Sequence, residues 1–337
     1  MQAARFDACG IPAEVVSVSD ITRPIPGKGE VLVRMLASPI NPSDLSFIEG
    51  SYGQQPELPA TPGFEGVGIV ESSGGGLLGS FLTGKRVTVA NREGGNWAEY
   101  AVISAKQAIP LPESLTLEQA ASFFVNPASV VAMVEKIHQV RRGEWLLQSA
   151  ANSSLGRMVI RLGRQCGIRT LNVVRRSEQI DQLKSLGADE VLVFDAAADD
   201  PEMFVSKVHQ LTNGGVRCAI DPVGGIVGST LARCLNNRGR LLVFGSLTGE
   251  PLTIFPRTLI APRAQIEGFW LGPWMLSQSL PRKLRLMRRI SHLINAGILT
   301  TEVCESFPLS RVSEAIAVAT QPAREGKVLL RIGDAGR

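Results

Sequence analysis

Asn152, Ser153, Ser154 and Gly156 lie between a short apolar run, Trp145-Leu146-Leu147-Gln148, and a segment with Met158, Val159, Leu162 and Cys166 at helical spacing. Small hydroxyl and amide side chains at a helix N-terminus donate hydrogen bonds to phosphate, and the helix adds its dipole and free N–H groups. Gly167 closes the helix, and Leu171-Asn172-Val173-Val174 reads as the next strand. That strand ends on Arg175 and Arg176, about twenty residues beyond the turn, where an NAD-preferring fold carries an acidic residue for the ribose hydroxyls. Arginine there accommodates a ribose 2′-phosphate, so the expected ligand is NADPH. Of the three glycines in the dinucleotide fingerprint G-x-G-x-x-G, only the last has a counterpart, Gly156. An α/β turn that binds no nucleotide therefore stays open as a reading.

A second candidate is Tyr52, in the glycine-bounded stretch Gly50-Ser51-Tyr52-Gly53 and one of 2 tyrosines in the chain. A phenol, with an ordinary pKa of about 10, holds a proton it can donate near neutrality. A loop tyrosine is equally a packing or surface residue, and Tyr100, in Trp97-Ala98-Glu99-Tyr100, reads as core. Metal chemistry finds no local motif. The histidines, His138, His209 and His292, are remote in sequence from any cysteine, so thiolate and imidazole ligands for tetrahedral zinc are not assembled. They read as surface or hydrogen-bonded structural residues.

These groups need elements to hold them. A chain of 337 residues, 44% apolar and 20% charged, supplies enough core for two domains. The net charge of +4 is dispersed, with one concentration between Arg282 and Arg289. There Leu284, Met287, Ile290 and Ile294 follow Pro281 at helical spacing, so the charges read as the solvated face of an amphipathic helix and nothing demands nucleic acid. The 5 cysteines, Cys9, Cys166, Cys218, Cys234 and Cys304, are odd in number and contain no C-x-x-C pair, which implies a reducing compartment. With no signal-like N-terminus and no apolar run approaching the roughly twenty residues of a membrane span, the expectation is a cytoplasmic protein without a membrane partner.

Up to Ser122 the pattern is β-rich, with strands expected at Val31–Leu36, Gly66–Glu71, Arg86–Ala90 and Trp97–Ile103. Short strands separated by Gly and Pro turns suggest a partly closed antiparallel barrel. From Asn126 helices and strands alternate, which suggests a parallel sheet. Further strands are expected at Glu190–Phe194, at Cys218–Asp221 before Pro222, and at Arg240–Phe244 before Gly245. Ligands lie beyond the carboxyl ends of such strands, so the turns at Asn152, Arg175, Asp221 and Phe244 surround one crevice. After Gly268 a single basic helix and strand-like pieces at Val303–Phe307 and Lys327–Ile332 read as a return to the first domain. The expected fold class is α/β, with residues 1–122 and 268–337 in one domain and 123–267 in the other.

This order resembles the medium-chain dehydrogenase/reductase superfamily in its zinc-independent branch. The resemblance implies a GroES-like, partly open β-barrel catalytic domain and a doubly wound, parallel-sheet Rossmann domain. Asn41-Pro42-Ser43-Asp44, Ile48 to Gly53, Asn126-Pro127, the turn from Ala150 to Gly156, Val173 to Arg176 and Gly268-Phe269-Trp270-Leu271 are similar to the mitochondrial-type trans-2-enoyl thioester reductases. Those enzymes use NADPH to reduce the α,β double bond of enoyl-CoA or enoyl-acyl-carrier-protein thioesters. Zinc-dependent members of the superfamily carry a cysteine early in the barrel and a Gly-His-Glu segment; here Asn41-Pro42-Ser43-Asp44 lacks the cysteine and Phe64 stands in place of the histidine.

The resemblance further implies hydride transfer to Cβ and proton delivery to Cα by Tyr52, with Trp270 shaping the acyl site. It implies a cofactor-binding set of Asn41, Asn126, Asn152, Ser153, Ser154, Leu155, Gly156, Arg175, Arg176, Ser177, Phe244, Gly245, Phe269, Trp270, Leu271 and Lys327. Asn126 reads equally as a helix N-cap, the aromatics as interdomain packing, and Lys327 as a solvated strand start. A homodimer formed through edge strands is the superfamily's habit. Two other functions stay open: an NADPH:quinone or general activated-alkene reductase, and an NADPH-binding sensor or structural protein with little turnover.

Overall fold

The strand Glu30–Pro39 is buried along nearly its whole length, as a strand covered on both faces must be. It pairs antiparallel with Glu65–Ser73, Tyr100–Ser104 and Lys327–Arg331. Register shifts at Leu32/Val33 and Met35/Ala37 turn it enough to serve all three partners. The sheet runs Val303–Pro308, Lys327–Arg331, Glu30–Pro39, Glu65–Ser73, Arg86–Ala90 and Ala108–Pro110, with Tyr100–Ser104 added on Glu30–Pro39. Phe6, Phe47, Trp97 and Ile316 form one buried cluster with the strand residue Leu330, and Val31, Val33, Val87 and Val89 belong to a second. The strand expected from Trp97 starts instead at Tyr100: Trp97 is fully buried in a core cluster and Ala98 makes one isolated bridge to Ala3. Tyr100 is half-buried rather than core, with the Arg23 guanidinium 3.9 Å from its ring centroid.

This computed structural model describes residues 1–321 and 325–333, and the chain divides into two units: Met1–Val125 with Thr301–Arg337, and Asn126–Thr300. The second unit is a six-stranded sheet, parallel throughout. Its strands lie in the order Glu190–Val193, Arg169–Val174, Trp145–Gln148, Val216–Asp221, Leu235–Val243, Gln265–Gly268. Counted along the chain, this is the doubly wound order in which the first strand lies between the second and the fourth, and the winding reverses there. Helix Ser154–Cys166 buries Met158, Val159, Ile160 and Leu162 and ends at Gly167, whose φ of 69° is the left-handed conformation of a helix C-cap.

After Gly268 there are two helices where one was expected, Leu271–Ser277 and Leu280–Asn295. The second is turned relative to the expected stripe: Leu286, Ile290, Leu293 and Ile294 are buried while Leu284 is 51% exposed. Arg289 is drawn off the basic face by Glu135, at 2.7 Å. Arg161 donates from Nε to the Ile298 carbonyl at 2.9 Å. These contacts tie residues 280–300 to the second unit, so the return falls after Thr300, later than the 268 expected from the pattern. Among the described residues no helix is long and apolar enough to cross a membrane.

Candidate functional site

The turn after Trp145–Gln148 is fixed by main-chain bonds to the strands on both sides. Ser149 N donates to the Ile220 carbonyl at 3.3 Å and Ala151 N to the Val173 carbonyl at 3.1 Å. Ser153 is the helix N-cap, its Oγ accepting from Gly156 N at 3.1 Å. A Cβ on Gly156 would stand 2.5 Å from the Ala151 carbonyl oxygen, so the one retained fingerprint glycine is the one that packs helix against turn. Asn152, Ser153 and Ser154 do not adopt positive φ, whereas Ala150 does, at 47°. The left-handed residue of this turn is thus displaced to Ala150, and side chains are permitted where the fingerprint has glycine. Ser154 Oγ is shielded from solvent and has no hydrogen-bond partner among the described residues. With free N–H groups at the same helix end, this arrangement fits the phosphate of a dinucleotide.

The neighbouring strand ends complete the rim. Arg175 is exposed just beyond Arg169–Val174, and Arg176 caps the short turn Ser177–Gln179. Phe244 N donates to the Asp221 carbonyl at 2.9 Å, and a Cβ on Gly245 would meet the Pro222 carbonyl oxygen at 2.7 Å, which accounts for glycine there. Phe269 N donates to the Val243 carbonyl at 2.8 Å, and its ring lies 6.3 Å from Trp274. Trp270 precedes helix Leu271–Ser277 and is 44% exposed. Leu155 is buried in the first turn of its helix, and Leu271 is half-buried.

Two side chains tie this end of the sheet together: Asp221, expected only as a strand end at the crevice, and Arg157, which the sequence did not single out. Asp221 is buried; its carboxyl accepts from Ser149 Oγ, from Val223 N at 3.0 Å and from Gly224 N at 2.9 Å. Burial pushes its pKa up, and these hydrogen bonds pull it back. The Ser149–Asp221 bond joins the first and fourth strands where the winding reverses. Arg157 is 5% exposed; its Nε donates to Asn152 Oδ1 at 3.2 Å. The only signal was an arginine between Gly156 and the apolar run from Met158.

In the first unit Asn41 is the hub of a buried polar cluster. It caps helix Pro42–Glu49 in a capping box with Asp44, its Nδ2 donates to Glu65 Oε1 at 2.9 Å, and its Oδ1 accepts from Lys327 Nζ. Asp44 accepts from Asn41 N at 2.7 Å and from Phe64 N at 2.9 Å, and Glu65 Oε2 from Val125 N at 2.9 Å. Burial raises Asp44 to about 7, opposed by those two N–H groups and by Lys327 and assisted by Glu65. Lys327 is 4% exposed, so the solvated-lysine reading is replaced by a buried ammonium in this cluster. Asn126 lies within helix Val125–Val130 rather than at its N-cap. Tyr52 is half-buried, its N donating to the Ser46 carbonyl at 3.1 Å and its ring centroid 5.0 Å from that of Phe64.

Zinc does not fit here. The segments that carry its ligands in zinc-dependent enzymes bring Asn41 and Glu65 together, but they bond directly to each other, Lys327 Nζ sits on the other end of the Asn41 amide, and Phe64 stands in place of an imidazole. Among the described residues no group of three or more His, Cys, Asp or Glu side chains is arranged to hold a metal. His138 is buried, with Nε2 3.0 Å from the Ala219 carbonyl, and burial lowers its pKa to about 4. His209 Nε2 lies 3.3 Å from the Arg233 carbonyl. Both are hydrogen-bonded structural residues.

Comparison with known proteins agrees with this geometry. Residues 27–113 match the alcohol dehydrogenase GroES-like domain and residues 154–289 the zinc-binding dehydrogenase family. The mitochondrial enoyl-[acyl-carrier-protein] reductase of Homo sapiens is 34% identical over 327 residues, covering 95% of this chain and 86% of that protein. Among solved structures, a putative NADPH:quinone reductase from Bacillus thuringiensis superposes with a TM-score of 0.89 at 30% identity, over 98% of this chain and 99% of its own. A mycobacterial protein solved in complex with NADPH gives 0.86 at 26% identity, over 98% and 100%.

Proposed function

Because this chain belongs to the medium-chain dehydrogenase/reductase superfamily, we propose that it is an NADPH-dependent reductase of activated carbon–carbon double bonds whose substrates are 2-enoyl thioesters. The observation that carries the substrate class is Tyr52, a phenol seated on Phe64 in the loop after helix Pro42–Glu49. When bound, NADPH is the source of the hydride that reaches Cβ. The turn Asn152–Gly156 takes its pyrophosphate, and Arg175, with Arg176 and Ser177, takes the 2′-phosphate. Phe244, Gly245, Phe269, Trp270 and Leu271 line the nicotinamide site, and Asn41, Asn126 and Lys327 are assigned as polar cofactor-binding residues. Tyr52 Oη supplies the proton to Cα, and Trp270 shapes the acyl site. The strand Gln265–Gly268 is an exposed sheet edge, and with Ile260 72% exposed nearby it supports a homodimer built by edge pairing. Five unpaired cysteines support a reducing compartment, which we take as the cytoplasm, and the substrate class points to fatty acid metabolism.

The second reading, a quinone or general activated-alkene reductase, draws on the Bacillus thuringiensis neighbour. NADPH oxidation with crotonyl-CoA, a longer enoyl-CoA and a simple quinone separates the two. Tyr52→Phe is expected to lower kcat on the thioesters by about 10²–10⁴-fold with the melting temperature unchanged. Quinone turnover indifferent to that substitution, with no thioester turnover, would sink the first reading. Tight NADPH binding without turnover of any acceptor would leave a binding or sensor protein. Arg175→Ala is expected to weaken NADPH at least about tenfold more than NADH, since only the former presents a phosphate to the guanidinium. Equal losses in the two binding constants would overturn the cofactor assignment.

A further inference from the structure

A guanidinium carries N–H donors and no acceptor, and it stays charged at every working pH. An asparagine side chain has one acceptor end and one donor end, so whichever atom faces an arginine must be the oxygen. Arg157, buried in the early turns of helix Ser154–Cys166, donates from Nε to Asn152 Oδ1 at 3.2 Å. The acceptor end of Asn152 is thereby turned toward the helix, and its Nδ2 is the end the side chain offers to the turn. Asn152 itself is held in place by its neighbours. Ala151 N is bonded to the Val173 carbonyl and Ser153 Oγ to Gly156 N.

A phosphate oxygen only accepts. An asparagine free to rotate its amide presents donor and acceptor alike, and the acceptor is repelled by an anion at the helix N-terminus. We propose that Arg157 is a positioning residue for the cofactor: it fixes the Asn152 amide with its donor outward, and the pair replaces by side chains the phosphate contact that the fingerprint makes through glycine backbone. The proposal rests on the dinucleotide reading given above.

The test is a double-substitution cycle on cofactor affinity, read by calorimetry with NADPH and with NADH, alongside thermal denaturation of each protein. Asn152→Ala and Arg157→Met are each expected to weaken NADPH about tenfold, the scale of one hydrogen bond to a charged group. The double variant is expected to bind no more weakly than the worse single, because Arg157 acts through Asn152. Arg157→Gln, whose amide also donates to Oδ1, is expected to restore most of the affinity. Losses that multiply to about a hundredfold, or Arg157→Met lowering the melting temperature at unchanged affinity, would overturn the proposal. Should Arg157→Met fail to fold, Asn152→Asp serves: it keeps the bond to Arg157 but turns an acceptor outward. It must then bind NADPH more weakly than Asn152→Ala at an undiminished melting temperature, and wild-type affinity would overturn the idea. A wild-type protein that binds neither nucleotide removes the dinucleotide reading itself, an outcome distinct from tight wild-type binding that Arg157→Met leaves untouched.

Discussion

The turn Ser149–Ser154 and the segment Asn41–Asp44 both follow the end of a strand and both start a helix, but different forces hold them. The turn is held first by main chain, since Ser149 N, Ala151 N and Ser153 N all bond to backbone carbonyls, with Ser149 Oγ on Asp221 and Ser153 Oγ on Gly156 N as additions. The Asn41 segment is held largely by side chains, through Asp44, Glu65 and Lys327. Main-chain scaffolding is indifferent to side-chain identity except where backbone approaches backbone. That is why Ala151 and Ser153 stand at the fingerprint's first two glycine positions while Gly156 stays. Polar side-chain scaffolding has the opposite tolerance: it accommodates small changes in shape but not the loss of one partner, and it answers to pH.

The most direct way to break this contrast is Glu65→Leu. It removes the acceptor of Asn41 Nδ2 and of Val125 N and takes a carboxyl away from the neighbourhood of the Lys327 ammonium. Stability in urea is expected to fall by about 3–5 kcal/mol, the scale for breaking a buried polar network by removing one partner. A loss below about 1 kcal/mol would mean that packing, not the network, holds Asn41. The matching change in the turn adds only a methyl group. In Gly156→Ala the new Cβ meets the Ala151 carbonyl oxygen, carbon and Cα, none of which moves cheaply. The expected cost is about 1–3 kcal/mol, together with a weaker NADPH constant, since the turn must open to admit it. Wild-type stability and affinity in this variant would show that the turn tolerates a side chain at every position.

How much of this was legible follows the same division. The parallel sheet, the turn and the strand before Arg175 leave short-range marks: apolar runs of strand length, a closing Gly167, and a glycine required by close packing. The cluster in the first unit leaves only the Asn41–Asp44 capping spacing, because its other partners are far apart in sequence; Lys327 and Asn41 are separated by 286 positions. Asp44 and Glu65 look like surface acids until the sheet buries them. Leu284 was misjudged because a helix rich in Leu and Ile offers two overlapping stripes. Only packing decides between them, and the buried one runs through Leu286, Ile290 and Leu293. Arg157 was hidden for another reason: it falls on the helix stripe of Arg161 and Arg164, away from Met158, Val159 and Leu162, and such a stripe reads as solvated until packing buries it.

The finest discrimination between the two scaffolds is electrostatic. Asp44 is fully buried, and its carboxyl is raised to about 7, chiefly by burial, against an ordinary value near 4. Between those limits the folded protein holds a proton that the unfolded chain has released, so stability from this group is fully present below about pH 4 and is lost as pH rises through about 7. The slope from one such site is at most about 1.4 kcal/mol per pH unit. Asp44→Asn cannot titrate, and its amide turns a donor toward one of the two N–H groups the carboxyl accepts, so the variant is less stable than wild type at pH 4. As pH rises toward 8 the wild type loses its advantage and the two stability curves converge. Urea midpoints at half-unit steps measure this directly. A stability difference constant from pH 4 to 8 would show that Asp44 stays ionised throughout, with Lys327 and the two N–H groups outweighing burial.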